Sequence, residues 1–392
     1  PLWRKGLLAL GEDIMVAPVL SDLATHAEQH AGTPHRDLKG ERCLGCGLCN
    51  YGCRFGHHLT VDRTFLWDAE QQGATVAPNC GVHHLVTERD PTSGRVRVTG
   101  LRFADDPRGP ALRVDHVVLA AGTPGSAALL LRSMNKGPIA SIRPARAGLV
   151  GAGFGFNVGS PAIARWAAPP ERPGFRGIQT HFVATKTGDS DYILENGYIP
   201  PAILSSAVPG LGADHRRLMG AYTHLGMAVN TIGTASTGRI NARGDIDFAV
   251  GDGTMDVLRR TLALLVDGWL HAGAVEVWPG GVHRLGPRAQ FTQGWRGAQG
   301  RILASLEEVI ERPEHVQIGS GHPQGGLGMN DDAERGVVDG RFRVHDTDNL
   351  FVADASLFPT TIVVNLQWLV LGMGLLGGRT IASEIEMMSK SL

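Results

Sequence analysis

The sequence predicts an α/β (α+β) fold: a discontinuous, Rossmann-like nucleotide-binding domain interrupted by an antiparallel-sheet module. Three observations carry this. His116-Val-Val-Leu-Ala-Ala-Gly122 is a short buried-strand run that breaks on glycine and restarts as an apolar helix at 126–132, a strand-to-helix passage that brings helix amides near a ligand. After Pro138 the character changes, and 145–300 mixes β-like stretches with proline-rich loops and one long amphipathic helix at about 255–272. The C-terminal stretch then returns to short strands, glycine turns and a terminal helix. The implied organisation is a connector at 1–40, a cysteine loop at 41–58, a split nucleotide-binding domain at 59–144 and 311–392, and a substrate domain at 145–310.

Composition agrees with a folded chain long enough for two domains. The 392 residues are 43% apolar, enough for a sizeable core. Lysine plus arginine (37) nearly cancel aspartate plus glutamate (38), so no basic surface argues for nucleic acid. The 53 glycines are about twice the usual share and follow no period, which points to tight turns and close backbone approach to a ligand. The chain opens on Pro1 without a signal segment, and its true start is expected to lie upstream. The compartment, cytoplasm or periplasm, is not legible. The apolar stretch 361–378 approaches membrane-spanning length, but Asn365, Gln367 and four glycines make it read as a buried C-terminal helix.

Taken in order, 61–73 reads as a helix ending at Gly73, followed by β-rich runs at 74–76, 81–87 and 96–103. Asp90-Pro-Thr-Ser-Gly94 supplies hairpin-turn chemistry between the last two. Gly151-Ala-Gly153-Phe-Gly155 looks like part of a dinucleotide fingerprint, but glycine is missing at 156, and it reads as a loop.

Four of the five cysteines stand at Cys43, Cys46, Cys49 and Cys53, a C-x2-C-x2-C-x3-C run of ferredoxin type in which Arg54 replaces the usual proline. A tight glycine-bearing loop can turn such thiolates toward one iron–sulfur cluster. A zinc site and four packed free thiols remain open on spacing alone. Cys80 reads as a buried small residue. His57-His58 and His83-His84 are adjacent pairs, and neighbours on a strand point to opposite faces, so neither pair is expected to converge on an ion.

The densest chemistry lies at 319–382. His322 sits in the glycine-rich loop Gly321-His-Pro-Gln-Gly-Gly-Leu-Gly328, and Asn365 follows a later strand and turn. A histidine that accepts a proton beside an amide that orients a hydroxyl is a plausible alcohol-oxidising pair. Asp354 closes an apolar strand, where a carboxylate is costly unless hydroxyls or amides meet it.

The His-Pro-x-Gly-Gly loop, Val337-Val-Asp339, Asn349-Leu-Phe-Val-Ala-Asp-Ala-Ser-Leu-Phe-Pro359 and the asparagine beyond closely resemble the C-terminal signature of glucose–methanol–choline (GMC) oxidoreductases. Residues 117–133 resemble that family's second flavin-contacting strand and helix, and the resemblance spans about 40 to 386. Within the family, the cysteine segment resembles bacterial long-chain alcohol oxidase-like proteins and FAD-dependent glucose dehydrogenases. The latter bind a cluster through C-x5-C-x3-C, a spacing that Cys43, Cys49 and Cys53 reproduce.

The resemblance implies FAD and, on the four cysteines, a 4Fe–4S cluster ahead of a 3Fe–4S one. It makes His322 the base that removes the substrate hydroxyl proton and Asn365 the group holding the substrate oxygen. Ala121, Gly122, Asp354, Ala355, Ser356, Asn365 and Leu366 would lie along the FAD, Val82 would meet the adenine, and 145–310 would roof the substrate cavity. The family's opening G-x-G-x-x-G unit is not found, Leu366 stands where proline is usual, and histidines at 57–58 replace a lysine. A further polypeptide, separate or lost from this one, is therefore expected to complete the FAD site. The resulting expectation is oxidation of an alcohol or sugar CH–OH, with electrons leaving through the cluster to a partner protein. An oxygen-using long-chain alcohol oxidase and a degenerate structural subunit are the alternatives.

Overall fold

The computed structural model describes Leu7 and residues 13–16, 48, 51–53, 60–136, 148–170, 182–185, 191–197, 200–280 and 306–390. They fall into two compact units. One comprises Ala77–Asn157, Gly233–Gly251 and Ser320–Leu392, the other Pro1–Val76, Val158–Ile232 and Asp252–Gly319.

In the first unit, strands Val82–Arg89 and Val96–Phe103 form an antiparallel hairpin, with Leu112–Arg113 added beside the second. Asp90 closes the turn: its Oδ1 accepts from the amides of Thr92 (2.8 Å) and Ser93 (2.7 Å). Val117–Leu119 pairs in parallel with Leu350–Val352, and helix Gly122–Met134 follows directly from the first of these strands. Leu85, Val98, Ala127, Leu130, Val338, Phe342 and Phe351 are buried in one apolar cluster that joins hairpin, helix and parallel pair. Asn349, fully buried, ties the same elements by hydrogen bonds. Its amide accepts from Val98 N (2.8 Å) and donates to the carbonyls of Val98 (2.7 Å) and Asp115 (2.5 Å).

The long strand Ala152–Arg165 contributes its residues up to Asn157 to this unit, where they pair with Gly238–Ile240 and Pro323–Gln324. The glycine-rich start expected to be a loop is therefore strand. Gly151 takes a left-handed φ of 79° at its entry, and a side chain there would run into the Ile240 carbonyl. Phe154 is fully buried, with Phe156 and Phe248 edge-on to it, so these rings are core.

Three further expectations change. Cys80 is exposed, because it lies in the turn that precedes the first hairpin strand. His83 and His84 do not point apart: a register shift between Val82 and His84 brings their Nδ1 atoms to 2.9 Å. The terminal helix, Gln367–Lys390, is not buried. Gly377, Ile381 and Glu384 pack inward, whereas Trp368, Leu369, Leu375, Leu376 and Met387 are exposed. Among the described residues no helix is long and apolar enough to cross a membrane.

The second unit carries an antiparallel sheet in the order Asp13–Val16, Phe182–Thr185, Tyr192–Gly197, Leu225–Gly233, then the remainder of the long strand, with Glu276–Pro279 on that strand. Helix Asp252–His271 matches the predicted amphipathic helix; Leu258, Leu262, Leu265 and Trp269 recur at helical spacing and are buried. The helix 61–73 is shorter than expected: a 3-10 turn Val61–Arg63 precedes helix Phe65–Gln71.

Candidate functional site

The site is assembled wholly within the first unit. Helix Gly122–Met134 opens without a side-chain cap and without an acid in its first turn. Gly122 has a φ of 73° and open space beside its α-carbon, while Ala121 is exposed. Behind this opening Ser126 joins two segments, since its Oγ accepts from Ala121 N (3.0 Å) and donates to Asp354 Oδ2 (2.5 Å). Asp354 Oδ1 accepts from Ser356 N (2.9 Å) and from the Ser356 hydroxyl. The buried carboxylate thus finds the hydroxyl and amide partners its position demands, and it caps the short turn Ala355–Leu357.

The His322 loop docks against both segments. Thr123 Oγ1 donates to the Pro323 carbonyl (3.1 Å), and Gly325 N donates to the Ala355 carbonyl (3.0 Å). Gly325 and Gly326 have φ values of 81° and 99°, and a Cβ on Gly325 would lie 2.1 Å from the Gly153 carbonyl oxygen. Only glycine allows that approach. His322 itself is half-buried, and burial holds its pKa below the usual histidine range. Its Nδ1 lies 2.7 Å from Asn157 Oδ1.

The segment leading to Asn365 is fastened at successive residues. Thr361 N donates to Ser236 Oγ (2.8 Å), and Ile362 exchanges two bonds with the buried Gln324 amide (2.9 and 3.2 Å). Asn157 Nδ2 donates to the carbonyls of Val363 (2.8 Å) and Val364 (3.1 Å). Asn365 is exposed and Leu366 buried.

Val82 stands apart from this cluster. Its neighbours are bound at the other end of the helix, where Arg132 Nε donates to the His83 carbonyl (2.9 Å) and Leu85 N to Ser133 Oγ (3.0 Å). Ten helical steps separate Gly122 from Arg132, about 15 Å of rise. The predicted residues are therefore divided between the two ends of this helix. Cys43, Cys46 and Cys49 lie outside the described residues; Cys53 is a half-buried free thiol. Among the described residues no three histidine, cysteine or acidic side chains are grouped to hold a metal ion.

Sequence reasoning missed Asn157 and the role of Gln324. Asn157 had one visible signal, a lone amide inside the apolar run 154–158.

Residues 9–144 match the N-terminal sequence model of the GMC oxidoreductase family, and 235–374 match its C-terminal model. The chain belongs to the GMC oxidoreductase family. Among its relatives, long-chain-alcohol oxidase FAO3 of Arabidopsis thaliana is 23% identical over 345 residues, covering 82% of this chain and 44% of that protein. The uncharacterized GMC-type oxidoreductase Rv0492c of Mycobacterium tuberculosis (strain ATCC 25618 / H37Rv) is 26% identical over 359 residues, covering 88% of this chain and 51% of that protein. The chain spans about half the length of these relatives. Pyridoxine 4-oxidase from Mesorbium loti shares the fold, with a TM-score of 0.54 at 18% identity over 83% of this chain and 61% of that one. The mixed helix-and-sheet fold class expected for this GMC chain is the one found.

Proposed function

We propose that this chain oxidises the CH–OH group of an alcohol, with His322 as the base that takes the hydroxyl proton. The observation that carries the reading is the state of His322. Burial lowers the pKa of the imidazole and so favours its neutral form, one ring nitrogen is engaged by Asn157, and Nε2 has no hydrogen-bond partner among the described residues. A neutral, desolvated imidazole with one free nitrogen is equipped to accept a proton. Asn365, exposed on the segment fastened beside it, would orient the substrate oxygen.

The residues present fit FAD. The uncapped helix start at Ala121 and Gly122, the open space at Gly122 and the half-buried Ala355 offer a surface along which it would lie. Ser356, Asn365 and Leu366 would flank it, with Val82 at the adenine end. The carboxylate of Asp354 is occupied by Ser126 and Ser356, so it would act by shaping the turn. Bound FAD would supply the hydride acceptor.

Two features favour additional polypeptide completing this site, on the same chain or a separate one. Among the described residues the parallel pair has only two strands although parallel sheets are normally covered on both faces, and Val118 on it is exposed. The terminal helix also presents Trp368, Leu375 and Leu376 to solvent.

For the electrons, the cysteine run supports a 4Fe–4S cluster on Cys43, Cys46, Cys49 and Cys53 that gives a one-electron exit to a partner protein. The names of the Arabidopsis relatives support the second reading, a long-chain alcohol oxidase passing electrons to oxygen.

The test takes purified material with every co-purifying chain retained. FAD, iron and acid-labile sulfide are quantified, and reduction of an artificial one-electron acceptor is compared with oxygen uptake on a long-chain primary alcohol. Flavin and alcohol-dependent turnover that falls about 100-fold or more in His322→Gln are expected. Iron and sulfide with dye reduction would establish the dehydrogenase, and oxygen uptake without iron the oxidase. Flavin-free protein in a sample containing the completing unit would leave a structural subunit.

A further inference from the structure

We infer that Asn157 is a positioning residue for the base. It selects the His322 tautomer with a free Nε2 and, through the other edge of the same amide, fixes the backbone that carries Asn365. The inference rests on the reading of His322 given above and identifies what prepares it.

The deduction needs only donor and acceptor chemistry. Asn157 is 1% exposed, so each polar atom of its side chain must find its partner inside the protein. Two of the atoms facing it are carbonyl oxygens, those of Val363 and Val364 at 2.8 and 3.1 Å, and these can only accept. The edge turned toward them is therefore the NH2 group. A flipped amide would set an oxygen against two oxygens. Oδ1 is thereby left facing His322 Nδ1 at 2.7 Å, and an amide oxygen cannot donate. The hydrogen in that contact must come from the ring. A neutral imidazole has one N–H; with it on Nδ1, the lone pair is on Nε2.

Neighbouring contacts make this arrangement rigid. Ser320 Oγ accepts from His322 N at 3.1 Å, holding the loop backbone beside the ring. Gln324 clamps Ile362 by both ends of its amide, so the carbonyls that orient Asn157 are themselves fixed. One amide thus sets the proton of the base and the path of the segment ending at Asn365. Asn157 touches neither substrate nor cofactor in this account.

The test reads the ring directly. Protein labelled with 15N-histidine, with its completing polypeptide and FAD, is examined by long-range proton–nitrogen correlation, and the His322 pair is assigned by its loss in His322→Gln. The wild-type ring is expected as the Nδ1–H tautomer with a lone pair on Nε2. In Asn157→Ala the ring is expected to shift toward Nε2–H, and turnover to fall about 10–100-fold with KM little changed. In Asn157→Asp, where a carboxylate faces the ring, the His322 midpoint and the acid limb of the turnover profile are expected to move up by about one pH unit or more.

A wild-type Nε2–H ring overturns the inference without any variant. So does an Asn157→Ala protein whose tautomer is unchanged, or an Asn157→Asp profile that stays in place. Failure of the proposed activity is read separately. An Nδ1–H ring in flavin-loaded protein that oxidises no alcohol sinks the function but leaves the tautomer assignment. Turnover by an Nε2–H ring does the reverse.

Discussion

Two stretches adjoining in sequence, 320–366 and Gln367–Lys390, are held in opposite ways. The first has little regular structure, yet polar side chains and left-handed glycines fix it almost residue by residue, through Ser320, Gln324, Gly325, Asp354 and Thr361. The second is a regular helix of 24 residues, and a narrow inward strip holds it: Gly377 against Phe342, Ile381, and Glu384 paired with Arg341 and Arg343. The lesson is that order in the site does not come from secondary structure. Many directional bonds specify one geometry, while a helix satisfies its own backbone and leaves its apolar side chains open for others.

The comparison can be broken most severely at Gly325. Gly325→Ala imposes a Cβ on a left-handed backbone that already meets the Gly153 carbonyl, and a loss of about 3 kcal/mol or more is expected as a lowered urea midpoint. An unchanged midpoint would show that the loop is looser than its contacts imply. Next in size is Gln324→Leu, which leaves the Ile362 amide and carbonyl without their partner. Here a loss of about 1–3 kcal/mol is expected, with faster hydrogen exchange at 361–364.

These effects bear on what the sequence could reveal. The hairpin, the long amphipathic helix and the strand-to-helix passage were legible because periodicity and turn chemistry are local; Asp90 speaks to amides two and three residues on. Asn157 was not, because its partners His322 and Val363 are 165 and 206 residues away. His83 and His84 misled because strand alternation fails at a bulge, and Cys80 because a cysteine in a turn has no core to enter. His322 and Asp354 stood out by residue type within a glycine-rich text, but the bonds that give them a role are tertiary.

A smaller effect is a pH dependence. Burial is the first cause lowering the pKa of His322, His84 and His116; His83, Lys136 and Arg102 add to it at His84, and Arg97 at His116. Each histidine is thus protonated more readily in the unfolded chain, which below about pH 6.5 binds more protons than the native state. Stability is expected to fall as pH drops from there toward the folded-state pKa, and to level off above. Thermal melts between pH 5.5 and 7.5, with a flatter slope in His322→Gln, would check it. Smallest of all is Leu376→Ser on the bare helix face. It should change the melting of the isolated chain by less than about 0.5 kcal/mol while reducing self-association, and a large loss would mean the face is already covered.

Asn349 also sets a timetable. Its amide closes on Val98, 251 residues earlier, and the strands it braces cannot pair until both have left the ribosome. At ordinary elongation rates that interval is on the order of 10 s or more. Through it the hairpin and helix Gly122–Met134 wait without the strand that completes their core, while Val158–Ile232 and Asp252–Gly319 of the other unit are being made. The first unit is begun before Val158–Ile232 and completed only after Asp252–Gly319, so during synthesis a chaperone would meet it first as an open apolar surface.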